Sequence, residues 1–354
     1  MVTLYIGNTD NSWFDFLSSE PSLSEANFWQ PSGKGFHRIQ PGELFAFRLK
    51  SPRNKIGGFG VLSGSSVLPL QMAWETFGRS NGASSYEALR AAIARYRPSE
   101  IVGATTNIGC RILVEPVFLP PHLWFDLPSS WSPNIMGGKG YSTDEPDGLD
   151  VWNRLQGAGQ QLSTNAGTGF AESASRYGTP TLITPRLGQG AFRIAVTEAY
   201  HRQCAISEGK VLPALDAAHI RPYTEGGAHT KSNGILLRKD IHCVFDSGYA
   251  TVDKDYRFVV SNKVKEVFDN GNEYRRLHGK GLLLPKSKSD WPNLDLLQWH
   301  NENKFLASTR PSWRRPRVNL SRYLPNFSFN HVTIVPRISS SGIPGVRPIW
   351  APCG

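Results

Sequence analysis

His219, Asn233 and His242 stand fourteen and nine residues apart within LDAAHIRPYTEGGAHTKSNGILLRKDIHCVFDSGY, residues 215–249. Those residue types suit one kind of chemistry. Hydrolysis of a phosphodiester needs a base that is unprotonated near neutral pH, and imidazole titrates in that range. It also needs a divalent ion against the phosphate and the leaving oxygen. A His on a strand and a second donor on a facing helix can flank one scissile phosphate. An Asn between them can hold a loop through side-chain to backbone hydrogen bonds and so fix the first His.

The elements that must position these groups can be read around them. A strand ends at His219 and is broken by Pro222, and Gly226–Gly227 form a loop. Asn233–Gly234 turns the chain into a short strand, Ile235–Leu237, and a helix begins near Lys239 or Asp240. The result is a β-hairpin followed by a helix. The nearest acid on the first strand is Asp216, three residues before His219. A regular strand would face it away from His219, so a bulge is expected there. Asp246 follows His242 by one helical turn, where it can ligate a metal or orient His242. Arg193, Arg221, Arg238 and Lys239 flank the segment as candidate contacts to phosphates. His229 is expected to be solvated in its loop, His300 to be a packed or surface residue, and Cys204 and Cys243 to be small core residues.

The ordered set His219, Pro222, Gly227, Asn233, Gly234, His242, Phe245, Asp246 and Gly248 resembles the HNH endonucleases of the ββα-metal superfamily, over roughly residues 186–306. The resemblance implies that His219 is the general base, Asn233 a structural residue and His242 a metal ligand. It implies one Mg²⁺ or Mn²⁺ per site and products ending in 5′-phosphate and 3′-hydroxyl. Ala218 departs from the pattern, since many relatives carry a metal-binding acid or His just before the base. Asp216 is therefore the expected second ligand, with Asp246 a further candidate. Many relatives also brace the hairpin with a four-cysteine zinc. The four cysteines here are far apart and form no CxxC pair, so no structural zinc is expected.

A nuclease core cuts where it is delivered, so the first 150 residues are expected to supply recognition. The segment FWQPSGKGFHRIQPGELFAFRLKSPRNKIGGFGVL, residues 28–62, resembles PUA-like barrels of the EVE, ASCH and SRA kind. That resemblance implies a base flipped out of the duplex into an aromatic-walled pocket. Trp29 is the first candidate wall, with Gln30 beside it to read a base edge, and Phe28, Phe36, Trp74 and Trp124 as further aromatics. Arg48, Lys50, Arg53 and Lys55 are four cations within eight residues and are candidates to grip phosphates.

The chain has 354 residues, enough for two domains and more. An apolar fraction of 39% rules out wholesale disorder, and no apolar run has transmembrane length. The N-terminus lacks the features of a signal peptide, and a cytoplasmic protein is expected. Net charge is +10, but residues 1–150 carry −2 (12 basic, 14 acidic), residues 151–306 +5 (20 and 15), and residues 307–354 +7 (seven Arg, no acid). The polyanion that such an excess suggests is nucleic acid.

The expected organisation is α+β: a PUA-like β-barrel with helices over 1–150, a Gly- and Ser-rich linker over 151–185, the ββα-metal nuclease domain over 186–306, and a basic tail over 307–354. Strands are expected at Val2–Ile6, Glu43–Lys50, Gly57–Leu62 and Arg111–Phe118. Helices are expected at Ser85–Arg97, Leu149–Leu155 and Phe192–Arg202. The combined reading is a modification-dependent DNA endonuclease acting near modified cytosine in duplex DNA, as a homodimer because cutting two strands takes two sites. Three rivals stay open: a nuclease reading unmodified or structured DNA, a DNA-binding protein with an inactive core, and a nuclease acting on RNA.

Overall fold

The computed structural model describes residues 2–21, 23–166 and 187–307. The Arg-rich tail from Arg310 to Arg347, the strand-like run Val332–Val335 and Cys353 lie outside the described residues.

The first lobe is built on a six-stranded mixed sheet. Its strands are β1 (Thr3–Thr9), β2 (Glu25–Gln30), β3 (Leu44–Leu49), β4 (Ile56–Pro69), β5 (Asn107–Phe118) and β6 (Gly138–Ser142), in the order β2-β5-β4-β3-β1-β6. β1 and β3 run parallel and the other neighbours antiparallel. The two-residue period of a strand sorts the side chains by kind. Leu4, Ile6, Leu44 and Ala46 point into an aliphatic core, whereas Tyr5, Phe45 and Phe47 point into an aromatic one. Helices α2 (Leu70–Phe77), α3 (Tyr86–Ala94) and α4 (Pro146–Ala166) cover the aliphatic face, and α1 (Asn11–Ser18) covers the aromatic face with Trp13 and Phe14. Ser85 caps α3, its hydroxyl accepting from the Ala88 amide at 3.2 Å.

α4 corrects the expected linker. It runs to Ala166, eleven residues past the expected helix end at Leu155. Val151, Trp152, Leu155 and Ala158 are buried at helical spacing, so tertiary packing holds a stretch whose composition suggested a spacer.

The second lobe has its own core. Helix α5 (Gln189–Ala199) packs on the hairpin β7 (Leu215–His219) and β8 (Gly234–Arg238), and α6 (Lys239–Asp246) packs on both of its strands as well. Strands β9 (Ala250–Val252) and β10 (Phe258–Val260) and helix α7 (Leu294–Asn303) complete it. α5 is also fastened to the first lobe. The Glu25 carboxylate of β2 accepts from the amides of Gly190 and Ala191 at 2.7 and 2.8 Å, and Ser66 of β4 donates to Glu198 at 2.8 Å. The mixed α+β class expected from the sequence is the class observed.

Candidate active site

The β7–β8 hairpin is regular from Leu215↔Arg238 to His219↔Gly234, without a bulge. Asp216 nevertheless reaches the site, because α6 crosses the ribbon and brings His242 to it. Asp216 Oδ2 lies 3.1 Å from His242 Nδ1, and Asp246 Oδ2 lies 3.0 Å from His242 Nε2. Arg193, from α5, stands 3.3 Å from Asp216 Oδ1. The expected bulge is thus replaced by a helix that comes to the carboxylate.

Asn233 is fully buried and closes the loop between the strands. Its Oδ1 accepts from the Arg221 amide, and its Nδ2 donates to the carbonyls of Arg221 and Ala228, each at 2.9 Å. Gly227 lets this loop close, since a Cβ there would sit 1.8 Å from the Arg221 carbonyl oxygen.

His219 stacks on Phe192 of α5, with centroids 3.8 Å apart and planes 15° apart. Its Nε2 lies 3.0 Å from Nδ1 of His229. His229 is therefore not a solvated loop residue: it stacks on Tyr223 at 4.6 Å and faces His219. Sequence reasoning missed this pair, for which the only signal was a second imidazole in the same loop. Burial, reinforced by His229, lowers the His219 pKa to about 4, so the ring is neutral at ordinary pH. His242 behaves oppositely. Burial disfavours its charge, but hydrogen bonds and charges from Asp216 and Asp246 outweigh that and raise its pKa to about 9. Asp216 is held below its ordinary range, because His242 and Arg193 outweigh the effect of its burial.

These groups line a cleft of about 880 Å³, shared with Lys239 and Cys243 and with Glu25 and Glu75 of the first lobe. Cys243 is therefore part of the cleft wall, whereas Cys204 is buried in the core. Arg221 lies over the Trp299 ring and donates to the Glu225 carbonyl, and Arg238 pairs with Asp240. His300 belongs to the core: it is buried, stacks on Phe245 at 4.0 Å and meets the Thr251 hydroxyl at 2.9 Å.

No three His, Cys, Asp or Glu side chains among the described residues converge as a metal-holding group. The reason is local: the two carboxylates contact opposite nitrogens of one imidazole. The donor types still suit a hard divalent ion, being two carboxylates and an imidazole. His242 Nε2 and Asp246 Oδ2, 3.0 Å apart, match adjacent positions around an ion with bonds of ~2.1 Å.

The first lobe has a separate cavity of about 680 Å³, lined by Trp13, Phe28, Trp29, Gln30, Arg48 and Lys50 among others. The Trp29 indole donates to the Asn81 carbonyl at 2.9 Å, which fixes the ring. Tyr96 on the same wall hydrogen-bonds Asp10 and accepts from Lys50 at 2.7 Å. Phe36 and Trp74 do not line the cavity. Phe36 is buried among Tyr5 and Phe45, and Trp74 packs on the aliphatic core. Trp124 meets Phe14 edge to face instead. Of the four clustered cations, Arg48 and Lys50 reach the cavity, whereas Arg53 pairs with Asp15 and Lys55 with Asp126.

Residues 204–253 match the family model described as HNH endonuclease. The matched stretch has the β7–β8–α6 unit at its centre. Among solved structures, the chain is similar to ASCH from Zymomonas mobilis, at 9% identity and a TM-score of 0.32, over 42% of this chain and 94% of that one. It is also similar to the modification-dependent TagI restriction endonuclease, at 13% identity and a TM-score of 0.27, over 74% of this chain and 62% of that one. No curated protein matches the chain. No described helix is long and apolar enough to cross a membrane.

Proposed function

We propose that this protein is a modification-dependent DNA endonuclease that hydrolyses a phosphodiester near a modified cytosine. The observation that carries the proposal is the pairing of two sites in one chain. One is a cleft with a neutral imidazole beside a carboxylate–imidazole–carboxylate row; the other is a separate aromatic cavity edged by cations. The cavity volume lies within the about 300–1,000 Å³ usual for small-molecule sites and admits a flipped base with a substituent.

In the cleft, His219 takes the proton from the attacking water. With its proton on Nε2, directed at His229, the lone pair is left on Nδ1, the nitrogen that makes no hydrogen bond among the described residues. Asn233 holds the loop and hence the ring carrying that lone pair. His242 and Asp246 would hold a divalent ion, Mg²⁺ or Mn²⁺, with Asp216 orienting His242. When bound, that ion supplies charge against the phosphate and the leaving oxygen. Lys239 and Arg193 add positive charge along the cleft wall. Two chains acting together would cut both strands.

The test is cleavage of four otherwise identical duplexes with Mg²⁺ or Mn²⁺: unmodified, 5-methylcytosine, 5-hydroxymethylcytosine and glucosylated. We expect cutting of a modified duplex only, reduced by about 10²–10⁴-fold in His219→Ala, the usual worth of a general base. Equal cutting of all four would remove the modification sensor, and binding without cutting under any metal would make the chain a DNA-binding protein with an inactive core.

A further inference from the structure

One cation of the first lobe takes no part in the function proposed above. Arg111 of β5 is 6% exposed and lines the cavity. Its guanidinium lies 4.3 Å from the Phe36 centroid, 5.5 Å from Phe28, 5.8 Å from Phe45 and 5.9 Å from Tyr5. Its hydrogen bond goes to Gln30 Oε1, and no carboxylate pairs with it among the described residues. Ring faces attract a cation but offer its five N–H donors no lone pair in their plane. A buried charge in that state costs free energy until an acceptor arrives.

The cavity as a whole is electropositive. Arg48, Lys50 and Arg111 line it against the single carboxylate of Asp10, which leaves two positive charges. Asp10 is itself taken up by Tyr96 and stands 3.7 Å from Lys50. Depth also differs between the cations. The Lys50 side chain is 37% exposed, whereas Arg111 is 6% exposed, so Lys50 stands toward solvent and Arg111 away from it. A flipped nucleotide leaves its sugar and phosphates at the mouth. Position 4 of cytosine lies opposite the glycosidic nitrogen with positions 3 and 5 on either side of it, so a 5-substituent is carried inward of the sugar.

Resting on the base-reading role proposed above, we infer that the cavity reads a cytosine whose 5-substituent carries oxygen acceptors. The order is 5-carboxyl before 5-hydroxymethyl and both before 5-methyl, with Arg111 the residue that meets the substituent. A carboxylate offers two oxygens to the flat fork of donors, the geometry in which guanidinium binds best. A hydroxymethyl offers one oxygen. A methyl offers none and leaves the cation as it is in the empty cavity.

The experiment is equilibrium binding of the full chain, in EDTA and at one fixed salt concentration, to labelled duplexes. These carry cytosine, 5-methylcytosine, 5-hydroxymethylcytosine or 5-carboxylcytosine at one position. We expect 5-carboxylcytosine to bind at least tenfold tighter than 5-methylcytosine. Arg111→Gln should bring those two within about twofold of each other. Binding of 5-methylcytosine equal to or tighter than 5-carboxylcytosine overturns the inference and leaves base reading intact. Equal binding of all four duplexes overturns base reading itself. A full carboxyl preference in a folded Arg111→Gln overturns the assignment to Arg111. If neither Arg111→Gln nor Arg111→Lys melts cooperatively, the wild-type order of the four duplexes decides alone.

Discussion

For the base role proposed for His219, its surroundings cost base strength. Burial, followed by the charge effect of His229, keeps it neutral with a pKa of about 4, and a weaker base gives less driving force for proton transfer. If His219 sets the acid limb of kcat/KM, that limb falls near pH 4, with no His219 transition between pH 5 and 8. His229→Ala removes one of the causes of the lowered pKa and exposes the ring. Its acid limb should therefore move up toward the ordinary histidine value, which a pH–rate profile would show. His300 carries a related expectation for stability. Burial lowers its folded pKa to about 4. The unfolded chain therefore binds a proton below its ordinary value of 6.5 while the folded chain does not, and stability is lost as pH falls from 6.5 to 4. The full shift corresponds to at most ~3 kcal/mol. His300→Phe should flatten the fall in urea-unfolding free energy between pH 7 and 5; an unchanged slope would assign the loss to other groups.

Glu25 joins the two lobes at the scale of elements. It caps α5, whose next residues are Phe192, stacked on His219, and Arg193, paired with Asp216. Burial raises the Glu25 pKa, and the two amide hydrogen bonds partly offset that rise. Glu25→Ala leaves two helix-terminal amides without this acceptor, at a cost of about 1–3 kcal/mol for each that stays dry. We expect turnover to fall more than binding of the modified duplex, because the cavity end of β2 is untouched. Equal losses in both would show that Glu25 only supports folding. At this scale much could be read from the sequence. Pro222, the Gly pair and Asn233–Gly234 mark the hairpin, and Lys239 marks the start of the helix. What stayed hidden depends on tertiary closure. The spacing of Asp216 and His219 on one strand does not reveal that α6 brings His242 to Asp216. The polar, Gly-containing run after Leu155 reads as a spacer until Trp152 and Ala158 are seen to be buried. Aromatic residues near one another in sequence, such as Phe28 and Phe36, give no sign of which faces a cavity and which a core.

Charge is divided unevenly over the whole molecule. The lobe with the cavity carries −2 over residues 1–150, and the last 48 residues carry +7. On the function proposed above, general attraction to a duplex is thus separated from reading. Removal of residues 307–354 should weaken binding to all duplexes alike and lower the slope of log K against log salt by as much as ~6. The ratio between modified and unmodified DNA should stay constant. A change in that ratio would give the tail a part in reading.

Strand β2 has a consequence for anyone exchanging the parts of this protein. Its six residues span roughly 20 Å at ~3.3 Å each, with Glu25 on the nuclease helix and Trp29 and Gln30 in the cavity. A hydrogen-bonded strand stretches very little, so it behaves as a stiff rod between the two sites. A foreign reading lobe grafted ahead of α5 would need to bring its own rod, ending in a carboxylate at the height of Gly190. A graft joined through a flexible tether would tie cutting to proximity alone, and a recombinant library of such fusions would sort by that one residue.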